Sequence, residues 1–315
     1  MKKPIVVLTG PTAVGKTELS IQLAKAIGGE IISADSMQVY KYMDIGSAKI
    51  TPEEMDGVRH YLVDELEPFD EFHVVKFQEY AQKYLNEIYA HEKIPIIAGG
   101  TGFYIQALLN DIDFTEQESD SAYRKELEAL AEEHGNQYLH DRLKEVDPES
   151  AEVIHPNNRK RVIRALEFFQ ETGGKISEHN AKEQMRTSPY NFAYFVLNDE
   201  RSHLYKRIDA RVDKMIEDGL EAEVRRLKEM GCTKDMVAMQ GIGYKEMLSY
   251  LDGGYSLEEA VYIIKRETRH FAKRQITWFK RERDVIWLNK NEFDYKNEAI
   301  LAYMIKILKE KAIIS

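Results

Sequence analysis

Residues 10–17 run Gly10-Pro11-Thr12-Ala13-Val14-Gly15-Lys16-Thr17 and fit G-x-x-x-x-G-K-[ST] at every fixed position. The apolar run Ile5-Val6-Val7-Leu8 precedes them, and Leu19, Leu23 and Ile27 follow at helical spacing. A buried strand, a glycine-rich loop and a helix in that order constrain the fold more than any other stretch. Loop N–H groups and the positive end of the helix converge on an anion. Lys16 adds a point charge, and the Thr17 hydroxyl can complete a Mg2+ shell made otherwise of water and phosphate oxygens. The loop does not say which molecule carries the phosphate.

The first hundred residues repeat the alternation. Strands are predicted at 30–35, 61–66 and 94–100, an irregular stretch runs to about 57, and helices fall at 73–91 and 101–109. Continuous apolar strands alternating with helices imply a parallel sheet covered on both faces, an α/β core of P-loop NTPase type. From about residue 114 strand signals vanish. Charged helical stretches cover 121–134, 136–145, 149–154 and 157–171, until FAYFVL (192–197) reads again as a core strand. The expected organisation is therefore a core formed by 1–114 and 191–315, interrupted by a helical insertion over 115–190. Long helices at 202–230 and 256–283, a strand at 285–288 and a final helix from Asn291 complete the core, with Ile300, Leu301, Met304, Ile305 and Leu308 turned inward.

The net charge of −10 argues at first against a nucleic-acid partner, but its distribution does not. Residues 111–153 hold 14 Asp and Glu against 4 Lys and Arg, so the rest of the chain is balanced at 40 of each. Within that balanced remainder, basic residues cluster at 159–164, at 206–214 and at 265–283, where eight Lys and Arg face two Glu. On the helix over 256–283, Val261, Ile264 and Phe271 are expected on the inner side. Lys265, Arg269 and Lys273 follow i, i+4 steps on another, where the bias favours contact with phosphate. His270, Trp278 and Phe279 lie among these charges, placed either to stack on bases or to pack. A single cysteine, Cys232, leaves no disulfide framework or cysteine-rich zinc site, and the histidines show no metal-ligand spacing. No apolar run approaches the ~18 residues of a membrane span, so no membrane partner and a cytoplasmic location are expected.

Asp35 ends the second predicted strand and should project over the phosphate loop. A carboxylate there serves a turn, a Mg2+ shell or a nucleophile's proton, and position alone does not choose among them. Gly99-Gly100-Thr101-Gly102 sits at the next strand end, where Thr101 fits a helix N-cap or a substrate contact. Arg207, Arg211 and Lys214 flank the apolar stripe Ile208, Val212, Met215 and Ile216.

These stretches together resemble one family. GPTAVGKT, DSMQVYKYMDIGSAK, GGTGFYIQALL, NNRKRVIRALE, LYKRIDARVDKMIEDGLEAEV, QGIGYKE and TRHFAKRQITWFKR are similar to the bacterial tRNA dimethylallyltransferases and occur in that family's order from residue 10 to residue 281. The sequence departs from the commonest pattern at Tyr42 (usually glycine), Ile50 (usually proline) and Lys160 (usually arginine), none of which removes a group the chemistry needs. The resemblance implies transfer of a dimethylallyl group from dimethylallyl diphosphate to the exocyclic amine of the adenosine 3′ of the anticodon, position 37, in tRNA, with Mg2+ and release of diphosphate. That base must be flipped out to reach a channel.

The resemblance also distributes roles. Asp35 matches the catalytic aspartate that takes the amine proton, while Thr101 and Arg211 match residues near the diphosphate. The loop from Gly10 to Thr17 binds the diphosphate and carries the family's nucleotide-binding motif, with Thr17 toward Mg2+. Expected RNA contacts are Asp35, Ser36, Met37, Gln38, Thr101 and Tyr123, then Arg159, Lys160, Arg161, Val162 and Ile163 in the insertion. Gln240, Gly241, Ile242, Gly243, Tyr244 and Lys245 match a stretch near the flipped base, and Arg269 and Lys273 extend the basic surface toward the anticodon stem-loop. The chain is expected to act as a monomer. Two other classes share parts of this pattern. A small-metabolite kinase shares the fold and loop but does not explain the basic helices. A nucleotide-gated RNA-binding protein would not need Asp35.

Overall fold

The structure, a computed structural model, describes residues 2–112, 114 and 122–314. Chain contacts divide them into two units, 1–109 with 189–315, and 110–188. In the first, β1 (Lys3–Thr9) leads through the phosphate loop into α1 (Lys16–Ile27), and β2 (Gly29–Ala34) into a long irregular segment. That segment holds α2 (Pro52–Met55), capped reciprocally by Thr51 and Glu54, and leads to β3 (His60–Tyr61), α3 (Val74–Ala90), β4 (Ile94–Gly99) and α4 (Gly102–Leu109). The insertion contributes α5 (Ala122–His134), α6 (Asn136–Val146), α7 (Pro148–Val153), α8 (Arg159–Thr172) and α9 (Ile176–Met185). The chain returns to the first unit as β5 (Tyr190–Asn198), α10 (Arg201–Glu217), α11 (Leu220–Glu229), α12 (Tyr244–Leu251), α13 (Leu257–Phe279), β6 (Val285–Asn289) and α14 (Asn297–Glu310).

The six strands form one parallel sheet in the order β3-β2-β4-β1-β5-β6. Strand periodicity explains why the strands are apolar throughout. Ile5 and Val7 face one core with Ile32, Ile97, Tyr194 and Val196, whereas Val6 and Leu8 face the other with Ile31, Ile96, Phe195 and Leu197. Helices α3, α4, α11 and α12 line the first core, and α1 and α14 the second. Each fully buried aliphatic side chain contributes about 1.5–3 kcal/mol, so this double-sided sheet is the rigid frame on which the loops are carried. Among the described residues no helix is long and apolar enough to cross a membrane.

Several elements differ from the sequence reading for local reasons. The predicted strand 61–66 joins the sheet only at its start, in β3, because Leu62 and Asp64 take left-handed backbone and turn the chain off the sheet edge, and Leu66 makes an isolated bridge to Tyr40. The helix predicted over 202–230 is two helices, broken at Asp218-Gly219, where Gly219 has φ 99°. Helix α13 ends at Phe279 rather than 283, and the last helix starts at Asn297 after a 3-10 turn over Lys290–Phe293. Phe271 is exposed, with the Arg274 guanidinium over its ring. The inner face of α13 runs through Ala260, Ile264, Ala272, Gln275 and Phe279, and Phe271 lies one residue, about 100°, off it. In the final helix Ile300, Met304 and Leu308 are buried, while Leu301 and Ile305 are half-buried.

The insertion has its own small core of Leu127, Leu139, Leu143, Val162, Ile163 and Leu166. Glu167, buried beneath it, is held by Arg124 through two hydrogen bonds. Asp147 has no solvent exposure, and its carboxylate accepts four hydrogen bonds, from the N–H and hydroxyl of Ser150 and of Ser177. It thereby caps α7 and fixes the start of α9. Burial pushes the Asp147 carboxyl up, but these four donors outweigh it and hold the group below its ordinary value. Its ionised form is therefore stabilised in the fold. The contribution is complete above the ordinary aspartate range near 4 and is lost as pH falls through the depressed value. Asp147→Ala is expected to destabilise the insertion by about 3 kcal/mol, since hydrogen bonds to charged groups are worth about 1.5–3 kcal/mol and the lost bonds do not add. Hydrogen exchange should show faster exchange in α7 and α9, and the wild type should drift toward that pattern below pH 4.

Candidate active site

The phosphate loop starts at a backbone position only glycine can fill. Gly10 has φ 148°, and a Cβ there would lie 2.2 Å from the Leu197 carbonyl oxygen. The loop then enters α1, whose N-terminus receives no hydrogen bond from any capping side chain. Lys16 Nζ donates to the carbonyls of Gly10 and Pro11 at 3.0 and 2.9 Å. Burial first and the Arg211 guanidinium second pull the Lys16 amine down to about 8, against Asp35, which acts in the opposite direction. Arg211 in turn is pulled below its ordinary range by burial and then by Arg207, while Asp35 and Glu54 oppose the shift. The three residues expected to work on a diphosphate therefore share one electrostatic neighbourhood, although they come from α1, the end of β2 and α10.

Asp35 makes the turn that its position suggested. Its Oδ1 accepts from the Met37 N–H at 2.8 Å and, longer, from the Gln38 N–H at 3.4 Å, which leaves Oδ2 for a ligand. Thr101 N–H donates to the Ala34 carbonyl, adjacent to Asp35 in the chain, at 3.1 Å. The Thr101 carbonyl starts α4, and its hydroxyl has no hydrogen-bond partner among the described residues. Thr17 is exposed at the first turn of α1. Among the described residues no group of three or more His, Cys, Asp or Glu could hold a metal, so a cation here would rest on Thr17 with phosphate oxygens and water, a donor set that suits Mg2+.

Three residues around the loop were not singled out for the site in the sequence. Arg207 Nε donates to the Ala13 carbonyl at 2.7 Å, and Lys290 Nζ reaches the Val14 carbonyl at 3.4 Å. Gln275 accepts from the Thr12 N–H at 2.9 Å. Arg207 lies one helical turn before Arg211, a signal that was available. Gln275 lies within the TRHFAKRQITWFKR stretch, where the basic residues carried the reading, and Lys290 comes from a segment with no motif of its own.

The stretches expected near the base are pinned to each other. The Glu223 carboxylate accepts from the backbone N–H groups of Asp44, Ile45 and Gly46 and from the Tyr244 hydroxyl. Buried Lys49 donates to the Tyr40 carbonyl and pairs with Asp44 and Asp64. Gly241 packs against Met37, whose methyl would stand 2.6 Å from a Cβ. Some predicted contacts are corrected by burial. Tyr244 is fully buried under Gly46, so it supports the pocket and does not face a ligand. Val162 and Ile163 belong to the insertion core and cannot meet RNA, because the face of α8 that carries them is turned inward.

The polar positions divide further. Lys160, Arg161, Gln240 and Lys245 are exposed, Ser36, Gly241 and Ile242 are half-buried, and Gly243 is buried. Arg159 is tied to the Glu128 carbonyl and to Glu132, and half-buried Tyr123 packs on the insertion core. Gln38 and Gln240 spend their side-chain N–H groups on carbonyls, of Ala48 and of Lys234 respectively. On α13, Arg269 pairs with Asp209 and Lys265 with Asp213, joining that helix to α10, whereas Lys273 is exposed. Phe279 is core, and the Trp278 ring lies against Gly102, so both pack as the second of the two readings held. His270 is exposed beside Glu267.

A doubly wound parallel sheet with a phosphate loop, ringed by cations and facing a carboxylate at the next strand end, defines a P-loop α/β protein built for a phosphorylated ligand. The family model "IPP transferase" matches residues 38–282, and the chain belongs to that family. It is 64% identical over 313 residues to the tRNA dimethylallyltransferase of Lachnoclostridium phytofermentans, covering 99% of both chains. It also resembles the crystal structure of the full-length tRNA isopentenylpyrophosphate transferase of Bacillus halodurans, at 45% identity and TM-score 0.74 over 99% of this chain and 98% of that one. A eukaryotic dimethylallyltransferase captured acting on tRNA matches at 32% identity and TM-score 0.79, over 91% of this chain and 74% of that one. The small-metabolite kinase and the non-catalytic RNA-binding protein are thereby set aside in favour of a transferase.

Two outcomes follow from this geometry. An anion binds the protonated form of Lys16, so the affinity for inorganic diphosphate relative to Lys16→Met should be flat below about pH 8 and weaken above it. The slope should approach about tenfold per pH unit. Lys16→Met should bind weakly and without that pH dependence, as calorimetry would show. Tyr42 sits where the family resemblance expects glycine, and its φ is 65°. The Arg226 guanidinium lies over its ring. Comparing two truncations removes the ring from both: Tyr42→Gly should melt as a protein about 1 kcal/mol more stable than Tyr42→Ala, the usual cost of left-handed backbone for a residue with a Cβ.

Proposed function

We propose that this protein transfers a dimethylallyl group from dimethylallyl diphosphate to the exocyclic amine of adenosine 37, 3′ of the anticodon in tRNA. The observation that carries this reading is the convergence of Lys16, Arg211 and Asp35 at the phosphate loop of an IPP transferase family member. The adenosine nitrogen attacks C1 of the dimethylallyl group, the C1–O bond to the diphosphate breaks, and a proton leaves the nitrogen for Asp35. An arylamine is a weak nucleophile, and a carboxylate that accepts its proton as positive charge builds lowers the barrier. Charge meanwhile moves onto the departing diphosphate. Lys16, Arg211 and the loop N–H groups meet it there, in a half-buried setting where electrostatics are stronger than in water.

Thr17 would hold Mg2+, which when bound would supply further charge neutralisation to the diphosphate. Thr101 presents a free hydroxyl beside Asp35 and lines the path of the reacting groups. Lys160 and Arg161 in the insertion are exposed cations available to the tRNA backbone, and in the first unit Lys245 and Lys273 are likewise exposed. Ser36 to Gln38 and Gln240 to Ile242 meet the flipped base and its neighbours. A chain that carries the whole reacting set itself is proposed to work as a monomer.

Asp35→Ala should lower kcat by about 10²–10⁴-fold, the usual worth of a positioned proton acceptor. Binding of tRNA should be unchanged. Radiolabelled dimethylallyl incorporation into unmodified tRNA, with Mg2+ and no ATP, measures the first and filter binding the second. Retained turnover in the variant would remove Asp35 from the chemistry, and no incorporation by the wild type would remove the reaction.

A further inference from the structure

Three loops leave the carboxyl edge of the sheet at the candidate site, after β1, β2 and β4. Backbone contacts join two of them, since the Thr101 N–H donates to the Ala34 carbonyl. The third, the phosphate loop, is joined to the loop after β4 by a side chain from a distant helix. Gln275 on α13 is 6% exposed. Its Oε1 accepts from the Thr12 N–H at 2.9 Å and its Nε2 donates to the Gly100 carbonyl at 2.9 Å. The fit is tight, because a Cβ on Gly100 would stand 2.3 Å from that Nε2. A primary amide is the side chain that accepts on one side and donates on the other without charge.

We propose that Gln275 is a positioning residue that sets the phosphate loop, and hence the leaving diphosphate, in register with Asp35 and Thr101. The inference rests on the transferase reading above. The link runs from Thr12 through the Gln275 amide to Gly100, from Gly100 to its neighbour Thr101, and from the Thr101 N–H to Ala34, next to Asp35. Each step is one hydrogen bond or one peptide, so the amide ties the group that holds the leaving group to the group that receives the proton. The hold on the anion itself comes from elsewhere: Lys16 at Gly10 and Pro11, Arg207 at Ala13, and the N-terminus of α1. Loss of Gln275 should therefore misalign the reacting groups more than it weakens anion binding.

Glu at this position separates positioning from packing within one polypeptide. An ionised carboxylate keeps the bond from Thr12 but cannot donate to Gly100. A protonated carboxyl restores both; burial raises the pKa of such a group, while the Lys16 ammonium on the same loop opposes the rise. Gln275→Glu should lower kcat for dimethylallyl transfer by about 10- to 100-fold at pH 8, the scale of a misplacement near 1 Å. The ratio to wild type should recover as pH is lowered to 6. Gln275→Leu should lose a similar factor at both pH values. The neutral variant Gln275→Leu should bind inorganic diphosphate and tRNA as the wild type does. A Glu variant with wild-type kcat at pH 8, a ratio that does not change with pH, or a Leu variant whose diphosphate affinity collapses in parallel with kcat would each overturn the assignment. A wild type that transfers no dimethylallyl group would instead refute the transferase reading, so the two failures are distinguishable.

Discussion

The site depends on how closely four strands approach one another at their carboxyl ends. In the sheet register Gly99 is the partner of both Thr9 and Ala34, and Thr9 is also the partner of Val196. At two of these joins there is no room for a side chain: a Cβ on Gly99 would meet the Ala34 carbonyl at 2.2 Å, and one on Gly10 the Leu197 carbonyl at the same distance. The Thr9 hydroxyl closes the third join by donating to the Gly99 carbonyl at 2.7 Å. Asp35, Thr101 and the phosphate loop each follow one of these crowded strand ends. Their relative positions are inherited from a register that both hydrophobic cores enforce, and a one-residue slip would exchange the two faces of a strand.

The same crowding gathers charge in a way that folding alone would not favour. Lys16, Arg211, Arg207 and Lys290 lie around the loop: Arg211 lowers the proton affinity of Lys16, and Arg207 that of Arg211 and Lys290, while Asp35 opposes the shift at Lys16 and Arg211. Burying cations side by side costs stability unless an anion compensates them. The chain contains an instructive contrast. The N–H groups of Asp44 to Gly46 also form an anion-binding concavity, and there the protein supplies its own carboxylate, Glu223. Supplying a carboxylate to one cradle and cations to the other separates a structural joint from a ligand site, even though both use the same backbone geometry.

Much of this was legible in the sequence because it is local. The phosphate loop, the strand that feeds it and the aspartate ending β2 are each set by fewer than ten residues. The family resemblance extended the legible part to Thr101 and Arg211, whose roles no local pattern gives. What escaped depends on contacts between residues far apart in the chain. Gln275 lies 263 residues from Thr12 and 175 from Gly100, and Lys290 lies 276 from Val14. The misplacement of Phe271 has a different origin: a stripe of mixed residues on α13 leaves the helical phase undetermined until small residues such as Ala260 and Ala272 are seen to mark the buried side. Tyr244 and Val162 show the converse limit. A stretch that resembles a binding motif contains residues that face the ligand and residues that hold those in place, and only burial separates the two.

Asp35 joins these threads, because the turn that the structure shows leaves one carboxylate oxygen for the proposed role as proton acceptor. Its Oδ1 is occupied by the N–H groups of Met37 and Gln38, which fixes the side chain against the start of the loop that follows β2. A carboxylate anchored through one oxygen presents the other in a set direction, so little freedom is left to lose when a substrate amine arrives. The entropy of orienting the proton acceptor is met during folding instead of at the barrier, which is the physical content of preorganisation. The turn also places Met37 against Gly241, so the stretch proposed to meet the base and the proposed proton acceptor are fixed by one local structure. The turn that looks like the bland explanation for an aspartate after a strand is thus what makes it suited to accept a proton.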